Sequence, residues 1–397
     1  MPGFWRLPRK GDKKRDSLNP GSAYINYLNI FMHAIVLGTR PEIIKMSPVI
    51  RACGKRGEDF FLLHTGQHYS YDMDRVFFEE LDLPAPAFNL DVGSGSHAVQ
   101  TGAILAGTEK VLQEKKPDTV LVQGDTNTVL AAALAASKSY VRDSGLPVRV
   151  GHVEAGLRSF DRRMPEEINR VLADHLSEYL FAPTEVARQN LANEGIGDKK
   201  IFVTGNTIVD AVHQNLAIAQ KNTDTARSMG LSKDGYFLVT LHRQENVDEK
   251  RRLAGILDGL VRISAEHGLP MIFPVHPRTE KMIRTFGLKT RGIRTIRPLG
   301  FLEFLQLESQ ARLALTDSGG VQEEACILGV PCVTIRDSTE RPETVDAGAN
   351  IVAGFKPDEI VNAAEQMLER MRTWKNPFGD GKAGGRIVGI LKKRAGK

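Results

Sequence analysis

At 397 residues, 41% hydrophobic and 25% charged, the chain is long enough for two globular domains with separate cores, and its composition is not that of a fibrous or low-complexity protein. Its net charge of +5 is no sign of a nucleic-acid binder: residues 1–31 hold six basic and two acidic residues, hence four of those five charges, and the remainder is near neutral. Three cysteines, Cys53, Cys326 and Cys332, are an odd number without CxxC spacing, which argues against a disulfide framework or a thiolate metal site and suits a reducing cytoplasm.

The basic N-terminal stretch contains no apolar run long enough for a signal peptide or a membrane anchor, so it reads as a disordered extension, or as sequence upstream of a start at Met32. From Met32 strands and helices alternate. "HAIVLGT" is a predicted strand, "PEIIKMSPVIRACGKRG" a helix opened by a proline, and "FFLLHTG" a strand. Helices near 72–81 and 98–115 follow, then the strand "TVLVQGD", an Ala-rich helix near 126–139 and the strand "PVRVGHVE". "EEINRVLADHLSEYL" is an amphipathic helix, and "YLFAPTE" and "KIFVTGN" are short strands around one more helix. The alternation then restarts past a junction near residue 208. Its strands are "YFLVTLHRQEN", "PMIFPVHPR", "IRTIRPLG", "ARLALTD" and "PCVTIRD", with helices at 249–267, 301–310, "GVQEEACILG" and 357–372. Apolar strands separated by helices indicate parallel sheets covered on both faces. The expected class is therefore α/β, two Rossmann-like doubly wound domains at 32–207 and 208–375, with a helix at 380–394 completing the first. A cleft is expected between the carboxyl ends of the two sheets.

Several motifs fall at those ends. "GTRPEIIK" turns from strand to helix with Pro41 at its start, so Arg40 and the free N–H groups offer an anion site, or simply an exposed arginine at an ordinary turn. Asp125 ends the strand "TVLVQGD", where it either caps the next helix or lines the cleft. "GHVEAGLRSFDRRMPEEINR" sets Glu154 at a strand end, with Glu166 and Arg170 four apart on one helical face. Asp125, Glu154 and Glu166 are all expected to issue from strand ends of one half, and three carboxylates meeting there are costly unless they do chemistry. In "LALTDSGGVQEEACILG", Ser318, Gly319 and Gly320 lead into a helix whose N–H groups suit a phosphate, with Glu323 and Glu324 one turn in and Arg341 in "RDSTERPETV" nearby. His242 and His276 end two strands of the second half. The Asp72 and Asp74 pair reads as N-terminal helix charge, and no metal motif stands out.

Taken in order, "GTRPE..K", "TGQH", "GDT", "HVEAGLR", "PEE.NR", "TGNT..D", "PVHP", "TDSGG.QEE" and "RD.TERPE" strongly resemble the non-hydrolysing UDP-N-acetylglucosamine 2-epimerases, from about Met32 to the segment 376–391. The resemblance implies a GT-B fold, a homodimer, no cofactor, and interconversion of UDP-GlcNAc and UDP-ManNAc for surface polysaccharide or glycan precursors. It implies Asp125, Glu154 and Glu166 as catalytic carboxylates, Arg170 supporting Glu166, and His242 near the leaving diphosphate. It likewise implies Arg40, Ser318, Gly319, Gly320 and Arg341 on the phosphates, Glu324 on the ribose, Phe304 around the uracil, and Lys45 near the nucleotide. Gln67 and His68 match a second, allosteric site of some members. One departure is the short loop "SFDRRM", where many bacterial members carry a longer tryptophan-containing loop. Three other readings stay open: a hydrolysing relative that releases ManNAc, a GT-B glycosyltransferase, and a catalytically silent nucleotide-sugar binder.

Overall fold

The computed structural model of the chain describes residues 31–67, 71–141 and 145–395. The expected N-terminal extension, residues 1–30, lies outside the described residues, as does His68. The first half runs β1 (Met32–Leu37), α1 (Arg40–Arg56), β2 (Asp59–His64), α2 (Tyr71–Glu80), β3 (Phe88–Asn89), α3 (His97–Lys115), β4 (Thr119–Gln123), α4 (Asn127–Ser137), β5 (Arg149–Val153), α5 (Pro165–Leu176), β6 (Tyr179–Ala182), α6 (Glu185–Asn193) and β7 (Ile201–Val203). Helices α7 (Thr207–Asn222) and α8 (Thr225–Ser228) lead to β8 (Phe237–Thr240), α9 (Gln244–Val247), α10 (Lys250–His267), β9 (Met271–Pro274), α11 (Pro277–Phe286), β10 (Ile293–Ile296), α12 (Phe301–Gln310) and β11 (Leu313–Thr316). The chain continues through α13 (Gly319–Leu328), β12 (Cys332–Thr334), α14 (Pro342–Asp346), β13 (Asn350–Val352), α15 (Pro357–Glu369) and α16 (Ala383–Ala395).

Two sheets result, in the orders β3-β2-β1-β4-β5-β6-β7 and β10-β9-β8-β11-β12-β13, and every ladder is parallel. This is the GT-B arrangement of two doubly wound sheets. Strands such as β4, "TVLVQ", are buried along their whole length, because helices cover both faces and no position is left for a polar outer stripe. Each sheet has an apolar layer on either side, with Ile35, Ile43, Met46 and Phe181 opposite Val36, Val120 and Ala132 in the first half. In the second, Phe237, Leu253 and Phe273 lie opposite Tyr236, Leu307 and Cys332.

Two helices tie the halves together. Helix α7 begins at the junction itself: the Asn206 side chain accepts from Ile208 N at 3.1 Å, and Ile208, Val209 and Val212 pack with Leu305, Cys326 and Ile327 of the second half. At the other end, Ile387, Val388 and Leu391 of α16 join the first-half core beside Ile43 and Val49. The Asp210 carboxylate, the acid of "TGNT..D", receives Ala383 N at 3.1 Å and Gly384 N at 3.0 Å and so caps α16. Gly384 is required there, since a Cβ would lie 2.8 Å from the Pro48 carbonyl inside α1.

Candidate active site between the carboxyl ends of the sheets

In each sheet the strand order reverses at one place, between β1 and β4 and between β8 and β11, and a doubly wound sheet opens its crevice at that point. The residues leaving those four strands are Gly38 to Arg40, Gly124 and Asp125, Leu241 and His242, and Asp317 and Ser318. The crevice is therefore built from the segments that the sequence motifs occupy.

Glu154 is its most constrained member. Gln123 pairs with Val153 in the β4/β5 register, so Glu154 emerges beside Gly124, and it does so at φ +72°, a conformation costly for a residue with a Cβ. Lys45 Nζ sits 2.8 and 2.9 Å from its two oxygens, Gln123 Nε2 donates to one of them, and Asn206 Nδ2 lies at 3.4 Å. Burial works against its charge more than any other single influence. The Lys45 ion pair and hydrogen bond, helped by Arg341 and Asn206, nonetheless outweigh it and hold the carboxyl below its ordinary range. An acid so clamped is a fixed negative charge and a weak base.

Asp125 differs. Its side chain is 35% exposed and paired with Arg170, whose other terminal nitrogen lies 3.0 Å from Glu167. Glu167 in turn accepts Ser159 N and Oγ at 2.9 Å and Phe160 N at 3.0 Å, pinning the loop before α5. Two expectations need correction. Arg170 supports Asp125 and Glu167 rather than Glu166. Glu166 does not issue from a strand end but stands exposed in the first turn of α5, because Pro165 starts the helix one residue earlier. Its carboxylate makes no hydrogen bond or ion pair among the described residues.

Buried groups hold these loops from behind. His152 Nδ1 lies 2.6 Å from Asp174, and its Nε2 lies 2.7 Å from the carbonyl of Gly124. Both partners are acceptors, so both ring nitrogens must carry protons, and the ring is a cation. Burial disfavours that charge, but Asp174 and the Gly124 carbonyl raise the His152 pKa regardless. Asp174 also takes Gly156 N at 3.1 Å and pairs with Arg158 at 2.8 Å. Glu42, in a capping box with Thr39, receives Thr39 N at 3.0 Å and Thr126 Oγ1 at 2.5 Å, joining the Arg40 turn to the Asp125 turn. Burial pushes its carboxyl up to about 7 despite those bonds. The sequence carried a signal for Glu42, the T-x-x-E spacing, and none for the His152–Asp174 contact.

In the second half, Thr240 and Thr316 share a register position, their hydroxyls 2.5 Å apart, so the turns after β8 and β11 leave side by side. Asp317 is fully buried between them. It accepts His242 N at 3.0 Å, Arg243 N at 2.9 Å and Asn246 Nδ2 at 3.3 Å, and the His242 ring Nδ1 stands 3.2 Å away. Ser318 is the N-cap residue of α13 without a side-chain cap bond, which leaves its hydroxyl and the first N–H groups of Gly319 and Gly320 directed out of the helix start. His276 instead caps α11, accepting Arg278 N at 3.2 Å, and burial, with the His242 and Arg278 charges, lowers its pKa. Arg341 pairs with Glu323 at 2.8 Å.

The halves meet electrostatically. Glu154 acts on Arg341, and Glu323 and Glu324 of α13 act with Lys45 of α1. Arg40 opens α1 with its guanidinium 4.8 Å above the Phe77 ring, and Phe304 packs half-buried against the second-half core. Gln67 does not face the crevice freely: its side-chain oxygen accepts Thr128 N at 2.9 Å and Thr128 Oγ1 at 2.7 Å. The side chains of Asp72 and Asp74 lie outside the described residues, and no cluster of three metal-ligating side chains occurs among the described ones. No helix of the described residues is long and apolar enough to cross a membrane.

A family model described as UDP-N-acetylglucosamine 2-epimerase matches residues 51–392. A UDP-N-acetylglucosamine 2-epimerase of Methanocaldococcus jannaschii is 58% identical over 365 residues, covering 90% of this chain and 98% of its own. A UDP-2,3-diacetamido-2,3-dideoxy-D-glucuronate 2-epimerase of Pseudomonas aeruginosa is 44% identical over 363 residues, with the same two coverages. The crystal structure of the M. jannaschii protein in complex with UDP-GlcNAc and UDP matches with a TM-score of 0.78, over 91% of this chain and 100% of that one.

Proposed function

The chain belongs to the UDP-N-acetylglucosamine 2-epimerase family, and we propose that it interconverts UDP-GlcNAc and UDP-ManNAc without releasing free sugar. The C2 proton of such a sugar is not acidic, because C2 bears an amide nitrogen and no carbonyl. Its removal becomes easy once the C1–O bond breaks and its electron pair leaves with the β-phosphate of UDP. The C2–H pair then forms the C1=C2 bond of a 2-acetamidoglucal while a carboxylate takes the proton. Return of UDP to C1, with a proton delivered to the other face of C2, gives the epimer.

The crevice residues divide between these steps. Arg40, Arg341, Ser318 and the Gly319 and Gly320 N–H groups receive the departing diphosphate, with His242, oriented by Asp317, beside it. Lys45 belongs near the nucleotide, Glu324 at the ribose and Phe304 by the uracil. Glu154, kept ionised by Lys45, is the fixed negative charge that stabilises the oxocarbenium-like ring. Asp125, tethered by Arg170, and the exposed Glu166 exchange the C2 proton. The single observation that carries this reading is the ion pair of Lys45, on α1, with Glu154 at the end of β5, under the electrostatic reach of Arg341 from the other half. The proposal includes a homodimer in the cytoplasm, with Gln67 and His68 at a second nucleotide-sugar site.

Chromatography of the products from UDP-GlcNAc, with no NAD or metal added, tests the reading. UDP-ManNAc as the product is expected; free ManNAc with UDP would identify a hydrolysing enzyme. A parallel incubation with UDP-2,3-diacetamido-2,3-dideoxy-D-glucuronate, the sugar in the name of the P. aeruginosa relative, decides whether that nucleotide sugar is the preferred substrate instead.

A further inference from the structure

Helix α12 carries a carboxyl group that the reaction above does not use. Glu308 is fully buried, at 0% exposure, and neither oxygen meets an N–H or hydroxyl donor among the described residues. Its hydrogen-bond partner is another acid, the Glu324 carboxyl on the second turn of α13. The surroundings are apolar, with Leu307, Ala311, Ala325, Val330 and Cys332 in one layer. Two carboxylates in contact in such a layer cannot both be ionised, and a hydrogen bond between them requires a proton. Glu324 is also the member nearer the crevice: it is 9% exposed, and its helix starts at Ser318 to Gly320.

We propose that Glu308 is a positioning residue of the nucleotide site, sharing one buried proton with Glu324 so that Glu324 meets the hydroxyls of an incoming nucleotide sugar as an oriented hydrogen-bond acceptor. The proposal rests on the functional reading given above. The groups facing the pair are Glu323 on the same helix, Lys45 from α1, and Cys332 from β12 with Cys326 beside it. Burial raises the Glu324 carboxyl, the bond from Glu308 holds it back, Glu323 raises it and Lys45 lowers it, and it stands at about 7. Burial first, with Glu324 alongside, pushes the Glu308 carboxyl well above the ordinary carboxylate range. Below about pH 7 Glu324 takes up a second proton and loses the acceptor edge that the ligand hydroxyls require. Ligand binding then favours the ionised form, so affinity rises with pH through this window and binding releases a proton.

The test is calorimetry of UDP-GlcNAc binding to the full chain, to Glu308→Leu and to Glu308→Gln, at about pH 6 and about pH 8, in two buffers of different ionisation enthalpy. The diphosphate diester of this ligand does not titrate in that range, and His242 and His276 are common to all three proteins. Glu308→Leu removes the donor that holds the Glu324 carboxyl back, whereas the amide of Glu308→Gln still donates to it. The native chain and Glu308→Gln are expected to lose about tenfold in affinity from pH 8 to pH 6 and to release part of a proton on binding, while Glu308→Leu binds about tenfold more weakly than either at pH 8. Native affinity at pH 8 in Glu308→Leu would overturn the proposal. Should Glu308→Leu fail to fold, the native chain still decides, because binding without proton release near pH 7 also overturns it. No binding of UDP-GlcNAc at any pH would bring down the functional reading and this proposal with it, whereas binding with flat pH dependence brings down the proposal alone.

Discussion

The two halves share one topology and one kind of crevice, yet they fill it with opposite electrostatics. In the first, Glu154 is held by Lys45, Asp125 and Glu167 by Arg170, and Asp174 by His152 and Arg158. In the second, Asp317 is held by backbone N–H groups, the start of α13 offers N–H groups of its own, and Glu308 and Glu324 are buried beside each other. Ionised acids set among cations suit charge development and proton exchange on a sugar. Preorganised N–H donors suit a diphosphate, which needs no proton moved. The strand order opens the crevice, and under the proposed function the side chains at the strand ends divide its steps between the two walls.

The division can be broken by mutation. Glu154→Gln and Asp125→Asn are expected to lower kcat by about a thousandfold, within the range attributed to general acid–base and electrostatic catalysis, while UDP affinity changes less than about threefold. Steady-state kinetics with UDP calorimetry measures both, and a parallel collapse of UDP affinity would mean that the walls are not separable. Asp174→Ala leaves the His152 and Arg158 charges buried without their shared carboxylate, and a loss of about 3–5 kcal/mol in urea unfolding is expected. Arg341→Ala removes a guanidinium from the wall proposed to hold the diphosphate. UDP affinity is expected to fall about tenfold to thirtyfold, the effect of losing one charge-assisted hydrogen bond, and kcat to fall less than in Glu154→Gln.

The smallest effect is on stability against pH. Glu42 and Glu324 each stand near 7 in the folded chain, raised from 4.5 chiefly by burial, so what they contribute is present in mild acid and lost as pH rises through about 7. Glu154 and Asp174 are held low by their cations, and their contribution is present at neutral pH and lost as pH falls below the usual carboxylate range. Urea midpoints should therefore fall on both sides of weakly acidic pH, by on the order of 1 kcal/mol per group between about pH 6 and 8 on the alkaline side. A curve rising steadily to pH 8 would contradict this ordering of the buried acids.

Much of the architecture was legible in the sequence because buried parallel strands are apolar throughout and their helices follow at a regular distance. What escaped was decided by contacts rather than by period. Helix α7 was hidden because its apolar face is shared between two halves, and β3, α14 and β13 are too short to show a pattern of their own; α11 is as long as α12 and was simply passed over between two strands. Glu154 and Asp125 stood out because acids rarely end inner strands. Arg170 was assigned by spacing to Glu166, whereas the β4 end brings Asp125 within its reach, a contact 45 residues away in sequence. The Glu308–Glu324 and His152–Asp174 pairs left no local trace either, since each joins two elements whose meeting is a property of the fold.

The central claim is that one crevice cleaves the sugar from UDP and returns it with C2 inverted. The most direct measurement is NMR of UDP-GlcNAc with the purified protein in D2O. The account predicts UDP-ManNAc carrying deuterium at C2, and no such signal with Asp125→Asn. A UDP-ManNAc product that keeps its original C2 hydrogen would contradict it.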